Sequence, residues 1–566
     1  MPTLDWIGKD KVINHHLDVP YRVLERQYSY DENGQHTEDN GSENMIIHGD
    51  NLSALKSLLP QYEGRINCVY IDPPYNTGNQ KWVYNDNVND PQIKKWLGSV
   101  VGDDADDLTL HDKWLCMMYP RLKLLWKLLS NTGVILISIN DFEYSNLRKI
   151  CDEIFGAKNY IETFVWYIDG HTDNQDRITT VHEYILCYAK NKSNVNINNV
   201  VDPNVPEDSK ILNSFAENSI TKNGFKNPPS VIELPIGFPC EVEELRKEKH
   251  EHIDELMQES QDFGYITREM TKKYLISYPA RIDDMVVSDH KLVHPCKVYS
   301  GWMNNGKLLQ FIENGFTPID DNGTKLRFYL SKNGVIYYRR DGRENHYVQS
   351  VLEKMGTTET NKYMLEVMGI KFDYPKPLTL IEYLLSIFSS PESIVLDSFA
   401  GSGTTAHAVL NIGDDRRFIL VEMMDYANTS TAHRIKNVIS GFDNQEGTGG
   451  NFSYYELGDT LMNGDALNEE VRVDKIREYV YFAETKSRLA SFKEDEPYYL
   501  GTHITTAYYF YYDKENVTTL SRAFLHTIKT KADSYVIYAD LCTLSEAELE
   551  KYHITFKKIP RDITKL

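Results

Sequence analysis

The stretch Ile66-Asn67-Cys68-Val69-Tyr70-Ile71-Asp72-Pro73-Pro74-Tyr75 decides the fold. Its first six residues form an apolar run that stops abruptly at Asp72-Pro73-Pro74, as a buried parallel strand does at its carboxyl end. Upstream, MIIHGDNLSALKSLLP (45–60) predicts a short strand, a Gly49-Asp50 turn and an amphipathic helix with Leu52, Leu55, Leu58 and Leu59 on its apolar face. Downstream, the pattern predicts a helix over 113–130, a C-cap at Asn131-Thr132-Gly133 and the strand VILISI at 134–139. A further helix and the strand EYILCYA at 183–189 complete the rhythm. Strands alternating with helices imply an α/β fold with a parallel sheet covered on both faces.

From 191 to about 355 the rhythm breaks into Asn-rich loops, a charged helix over CEVEELRKEKHEHIDELMQE and short strands, the pattern of an inserted recognition region. It returns at 375–422 with a helix over PLTLIEYLLSIF, the strand SIVLDSF, a glycine turn, the helix TTAHAVLNI and the strand FILVEM. After about 440 the chain is acidic and aromatic, and its end reads as strand, helix, strand, which predicts a small α/β domain. The expected organisation is an N-terminal arm (1–44), two halves of one α/β domain (45–190 and 356–440), the insert (191–355) and a C-terminal domain (441–566).

At 566 residues, 41% apolar and 25% charged, the chain has the composition of a globular protein of several domains. No apolar stretch approaches the roughly 20 residues that span a bilayer, and MPTLDWIGKDK lacks the apolar core of a signal peptide. A cytoplasmic protein without a membrane partner is expected. Seven scattered cysteines, with no C-x-x-C pair, predict reduced packed thiols and no metal site. A net charge of −22 argues against a nucleic-acid partner, but only about −4 of it falls in 191–370. Within that region, 325–343 carries six basic residues against Asp341, interleaved with Phe328, Tyr329, Tyr337 and Tyr338. Nucleic-acid contact and a solvated hairpin face both fit this stretch.

Two motifs carry chemistry. In SIVLDSFAGSGTT, Asp397 ends a strand, and Gly401 and Gly403 form the turn into a helix, where the backbone can approach a cofactor and the helix N-terminus favours an anion. Glu422 ends the next strand, placed to accept hydrogen bonds from ribose hydroxyls, so the pair implies a nucleoside cofactor. A phosphate-binding P-loop requires a lysine that AGSGTT lacks. A dinucleotide site, or glycines that merely cap a tight turn, stay open on this motif alone.

The second motif is Asp72-Pro73-Pro74-Tyr75. Consecutive prolines hold a rigid loop whose carbonyls are free to accept. The exocyclic amino nitrogen of adenine or cytosine is a poor nucleophile, because its lone pair is delocalised into the ring. Hydrogen bonds from its two protons to Asp72 and the Pro73 carbonyl draw it toward tetrahedral geometry and aim the lone pair at a methyl donor. Tyr75 offers a stacking face for a base flipped out of a duplex. The plain alternative is a strand-terminating turn.

Together Asp72-Pro73-Pro74-Tyr75, Asp397-Ser398-Phe399-Ala400-Gly401-Ser402-Gly403-Thr404-Thr405 and Phe372-Asp373-Tyr374-Pro375-Lys376-Pro377 resemble the signatures of the amino-methyltransferases. Their order, catalytic motif first and glycine motif last, is similar to the permuted β group of these enzymes. WIGKDKVINHHLDVPYRVL, HDKWLCMMYPRLKLLWKLL, HEYILCYAKN and FKKIPRDI extend the likeness to the modification subunits of type III restriction-modification systems. The resemblance implies a Rossmann-like, S-adenosylmethionine-dependent methyltransferase fold in permuted motif order, with 191–355 as target-recognition domain. It implies that Asp397, Phe399, Gly401 and Gly403 surround S-adenosylmethionine and that Glu422 holds its ribose. Asp50 would contact its adenine, or simply cap a helix, and Lys376 would lie near its carboxylate, or be solvated. An aspartate at position 72 goes with adenine N6 in this family, whereas serine goes with cytosine N4. Double-stranded DNA, a homodimer and a helicase-nuclease restriction subunit are the partners implied, with Arg339 and Arg340 as candidate DNA contacts. A solitary or other phage-defence methyltransferase, a non-catalytic DNA-binding subunit and an enzyme acting on RNA or protein amides are the alternatives.

Overall fold

The computed structural model describes residues 3–77, 110–168, 179–206, 208–342, 347–464, 466–487, 489 and 493–564. It divides into two compact units, Met1–Asn198 with Gln349–Leu566, and Asn199–Val348.

The first unit is built on an 11-stranded sheet. In chain order its strands are β1 (Arg22–Asp31), β2 (Gly34–His36), β3 (Met45–His48), β4 (Ile66–Ile71), β5 (Leu129–Ile139), β6 (Tyr160–Tyr167), β7 (His182–Ala189), β8 (Val351–Leu352), β9 (Ile394–Asp397), β10 (Arg417–Glu422) and β11 (Phe452–Thr460). The spatial order is β8-β6-β7-β5-β4-β9-β10-β3-β11-β1-β2. The run β5-β4-β9-β10-β3-β11 is parallel throughout. β7 runs antiparallel to both β5 and β6, and β1 antiparallel to β11. The sheet is therefore mixed rather than wholly parallel, because a continuous apolar run such as EYILCYA carries no signal of its direction.

The helices that matter to the site are α1 (Asn51–Tyr62), α2 (Leu110–Leu128), α3 (Asp141–Cys151), α4 (Thr358–Val367), α5 (Leu378–Phe388), α6 (Thr404–Ile412) and α7 (His433–Ser440). The apolar residues of α1, α2 and α3 join the central strands in one core, in which Leu55, Trp114, Leu122, Ile135 and Leu396 are fully buried, while Leu365 of α4 and Val438 of α7 pack in a separate cluster. None of the described helices is long and apolar enough to cross a membrane.

Three expectations change. Asn131-Thr132-Gly133 is not a helix C-cap: α2 passes directly into β5, and the register shift between Ile66 and Cys68 accommodates the extra residues. Gly133 sits so close to β4 that a Cβ there would lie 2.7 Å from the Ile66 carbonyl oxygen, which is why the position is glycine. The stretches 1–44 and 441–566 do not stand apart as arm and domain. β1 from the first and β11 from the second pair along Arg22–Tyr30 and Phe452–Thr460 and extend the central sheet. The remainder of 441–566 includes a four-stranded sheet, in which Ser534–Ala539 and Ile554–Lys558 are parallel and the intervening helix Glu546–Lys551 starts from a Ser545/Glu548 capping box.

The second unit, Asn199–Val348, holds two three-stranded sheets and one four-stranded sheet around a core that includes Phe238, Trp302, Phe311 and Phe328. Of the charged helix expected over 240–259, only the end is helical, in Ile253–Phe263. Leu245–Lys247 is a strand paired with Met285–Val287, because Leu245 is buried while Arg246 points to solvent, an alternation of period two.

Candidate active site

β4 and β9 are adjacent and parallel, with Val395 opposite Cys68 and Leu396 opposite Val69. Both end at the same edge of the sheet, where Asp72 follows Ile71 and Asp397 closes β9. β4 has β5 on one side and β9 on the other, so successive crossovers depart in opposite directions there, which opens a crevice at the carboxyl edge. A cleft of about 530 Å³ occupies that position. Asp72, Pro73, Pro74, Tyr75, Lys376, Asp397, Phe399 and Gly401 all line it, although the first and last of them are more than 300 positions apart.

The Asp72–Tyr75 loop is fixed from outside. Trp114, fully buried on α2, donates its indole N–H to the Pro74 carbonyl at 2.7 Å. Asn76 follows with φ of 62° and donates its amide to the buried Glu143 at 2.7 Å and to the Leu110 carbonyl at 2.9 Å. Glu143 in turn takes a bond from Asn146 at 2.8 Å, so α3 carries the loop's far anchor.

Inside the loop, Lys376 donates to the Tyr75 hydroxyl oxygen at 2.7 Å and to Glu183 at 2.9 Å, and its nitrogen lies 3.4 Å from Oδ1 of Asp72. The Tyr75 hydroxyl donates to the same Glu183 oxygen at 2.9 Å. Burial pushes the Asp72 carboxyl above its ordinary range, and the Lys376 ammonium opposes that rise. Lys376 itself is held above the usual lysine value: burial works against its charge, but Asp72 and Glu183 outweigh it.

The glycine turn is braced from beneath. Asp397 accepts from the Phe399 N–H at 2.9 Å and from the Thr405 hydroxyl at 2.5 Å. Glu422 accepts from the Gly401 N–H at 2.8 Å and from the Met424 N–H at 3.0 Å. Burial raises both carboxyls to about 7. Gly403 has φ of +82°, and a Cβ on it would lie 3.3 Å from the Thr431 side chain and from its carbonyl oxygen. Arg434 on α7, fully buried, donates to the Ser402 hydroxyl at 3.0 Å and to the Thr404 hydroxyl at 2.8 Å.

Asp50, Gly403 and Glu422 are not among the residues lining the cleft. Asp50 caps α1, accepting from the Ser53 N–H at 2.9 Å, and pairs with Arg121 at 3.2 Å. Arg121 also donates to Asn51, whose amide reaches the Ser398 carbonyl at 3.0 Å, so the residue beside Asp50 ties α1 to the end of β9. In the second unit, Arg339 pairs with Asp341 at 3.1 Å and lies 3.5 Å from the centre of the Phe215 ring, while Arg340 pairs with Asp321. Arg343 lies outside the described residues. Trp114, Arg121 and Glu183 fall inside the stretches HDKWLCMMYPRLKLLWKLL and HEYILCYAKN that carry the family likeness, but the likeness assigns them no role, and Arg434 lies outside every motif.

Residues 66–432 match the family model of the N6_N4_Mtase group, described as DNA methylase. The chain belongs to this DNA methylase family. It is 29% identical over 445 residues to the EcoP15I Mod subunit, a type III restriction-modification enzyme of Escherichia coli, and 30% identical over 451 residues to the EcoPI Mod subunit of Escherichia phage P1. These matches cover 74% and 75% of the chain but 64% of each relative, so the chain spans less than two thirds of their length. Among solved structures it is similar to the cytosine-N4-specific PvuII DNA methyltransferase, with a TM-score of 0.31 and 13% identity over 72% of this chain and 89% of that one.

Proposed function

We propose that this methylase-family chain transfers a methyl group from S-adenosylmethionine to adenine N6 in duplex DNA, as the cytoplasmic modification and recognition subunit of a type III restriction-modification system. The observation that carries the reading is the shared cleft: the loop suited to grip an amino group and the glycine turn suited to a nucleoside cofactor open into one volume of about 530 Å³. That volume lies in the range of ordinary cofactor pockets. The residues present fit the cofactor, with the half-buried Phe399 as an apolar contact, the N-terminus of α6 for a carboxylate and a glycine turn packed too tightly for side chains.

When bound, S-adenosylmethionine supplies an electrophilic methyl group. Asp72 and the Pro73 carbonyl accept the two amino protons of the flipped base and turn the nitrogen lone pair away from the ring. As positive charge develops on that nitrogen, the Asp72 carboxylate stabilises it and takes the departing proton, which its raised pKa favours. Tyr75 presents its ring to the base. Trp114 holds the loop's carbonyl in place.

Support for the type III assignment comes from the names of the two Mod subunits to which the chain is similar. A homodimer, target recognition by 191–355 and a helicase-nuclease partner belong to the same proposal. The test is methyl transfer from labelled S-adenosylmethionine to duplex DNA, followed by digestion to nucleosides. Label in N6-methyladenosine supports the reading, label in N4-methylcytosine moves the substrate, and label only in RNA or protein overturns it. Restriction that appears only with an added helicase-nuclease subunit separates the type III role from that of a solitary methyltransferase.

A further inference from the structure

The second unit carries a feature that the catalytic reading does not use. Thr221 bridges to Trp302 and leads into a turn, Lys222-Asn223-Gly224-Phe225-Lys226-Asn227, whose phenylalanine is 87% exposed. An isolated exposed leucine or valine is ordinary, but a phenylalanine ring standing almost free in water forgoes nearly all of the burial that so large an apolar side chain gains in a core. The turn is not a loose loop. The Lys222 N–H donates to the Gly301 carbonyl at 2.8 Å, and the Asn223 side chain accepts from the Gly301 N–H at 2.7 Å and from the Ser300 hydroxyl at 3.1 Å. The Asn227 N–H closes the turn on the Gly224 carbonyl at 2.8 Å. The fit is tight enough that a Cβ on Gly301 would lie 2.6 Å from the carbonyl oxygens of Lys222 and Asn227. Phe225 is therefore presented on a rigid pedestal.

Its flanks are charged in one sense. Lys222 and Lys226 are exposed, and among the described residues neither is within 4.0 Å of a carboxylate. No acidic residue occurs from Asn218 to Ile232, in a chain whose net charge is −22. By contrast, Arg339 and Arg340, the basic residues most conspicuous in the sequence, are committed to Asp341 and Asp321.

We propose that the Lys222–Asn227 turn is a duplex-DNA contact of the second unit, with the Phe225 ring stacking on or wedging between bases and Lys222 and Lys226 holding the flanking phosphates. The inference rests on the DNA-methylase reading above. An unpaired lysine on each side of an exposed aromatic ring is the pattern that grips a polyanion while offering an apolar face to its bases. A protein partner would be met by the same ring, but two uncompensated ammonium groups at its rim favour the phosphate backbone.

The test is equilibrium binding of the full chain to a duplex carrying its methylation site, over a series of salt concentrations. Lys222→Ala with Lys226→Ala is expected to weaken binding irrespective of sequence and to lower the slope of log K against log salt by about 0.9 per lysine. Phe225→Ala is expected to lose roughly tenfold in affinity with the salt slope unchanged, and Phe225→Trp to restore it. A 2-aminopurine reporter should brighten on binding wild type and not on binding Phe225→Ala. Wild-type affinity and slope in both variants overturn this proposal alone and leave the ring to a protein partner. A wild-type chain that binds no duplex overturns this proposal together with the DNA reading.

Discussion

The Lys376 ammonium lies 3.4 Å from Oδ1 of Asp72 while bonded to Glu183 at 2.9 Å. A cation placed there keeps a buried carboxylate ionised that desolvation pushes toward its neutral form. Asp72 must be ionised to accept both an amino proton and the developing charge, so activity falls as pH drops through its pKa. Lys376→Met removes the opposing charge, raises that pKa further and should move the acid limb of kcat to higher pH. Lys376→Arg should move it less. A pH–rate profile of the three proteins measures this, and superimposable acid limbs contradict it.

Trp114→Phe deletes the donor to the Pro74 carbonyl. A buried acceptor left without its bond costs about 1–3 kcal/mol. The expected result is a lower melting temperature and a reduced kcat with the S-adenosylmethionine affinity unchanged, read by calorimetric titration beside single-turnover kinetics. A variant that loses cofactor but keeps its single-turnover rate would place Trp114 with the glycine turn instead.

Gly403→Ala puts a side chain at φ of +82° and 3.3 Å from Thr431. The left-handed conformation alone costs roughly 1–2 kcal/mol in an L-residue, and relief of the contact must shift the glycine turn or the helical segment Asn428–Ala432 that carries Thr431. Cofactor affinity should fall at least tenfold while duplex binding persists, which parallel titrations of the two ligands would reveal.

Asp397 and Glu422 are raised to about 7 by burial, from 3.8 and 4.5 in the unfolded chain. The native state then holds protons that the unfolded state has released between roughly pH 4 and 7. Stability from these two groups is complete at low pH and is lost as pH rises through about 7. Asp397→Asn and Glu422→Gln should flatten the melting temperature's decline over that window relative to wild type. A steeper decline in the variants would reverse the sign.

How far the sequence could be read depended on how local each signal was. Ile66–Ile71, ended by Asp72-Pro73, is a strand with the bounds expected, because a continuous apolar run and a proline stop act within ten residues. The turn from Asp397 to α6 was legible for the same reason. Lys376 and Tyr75 were each marked by a motif, but their meeting was not: Tyr75 and Glu183 lie 301 and 193 positions from Lys376. The pairing of β1 with β11 was hidden likewise, since Tyr28 meets Tyr454 across more than 400 residues. Gly133 looked like a helix stop, and only the neighbouring Ile66 carbonyl reveals that it serves close strand approach. The motifs announced which residue types act; the sheet decided which of them meet.

In the proposed reaction Asp72 grips an adenine amino group in DNA. The most direct test of this grip is to express wild type and Asp72→Ala in a host that lacks DNA methylation and to sequence both genomes with modification-sensitive reads. The expected result is N6-methyladenine at one recurring sequence in the wild-type genome and none in the Asp72→Ala genome, with both proteins folded. Modified adenines in the Asp72→Ala genome at wild-type levels, or an unmodified genome from folded, cofactor-binding wild type, would contradict it.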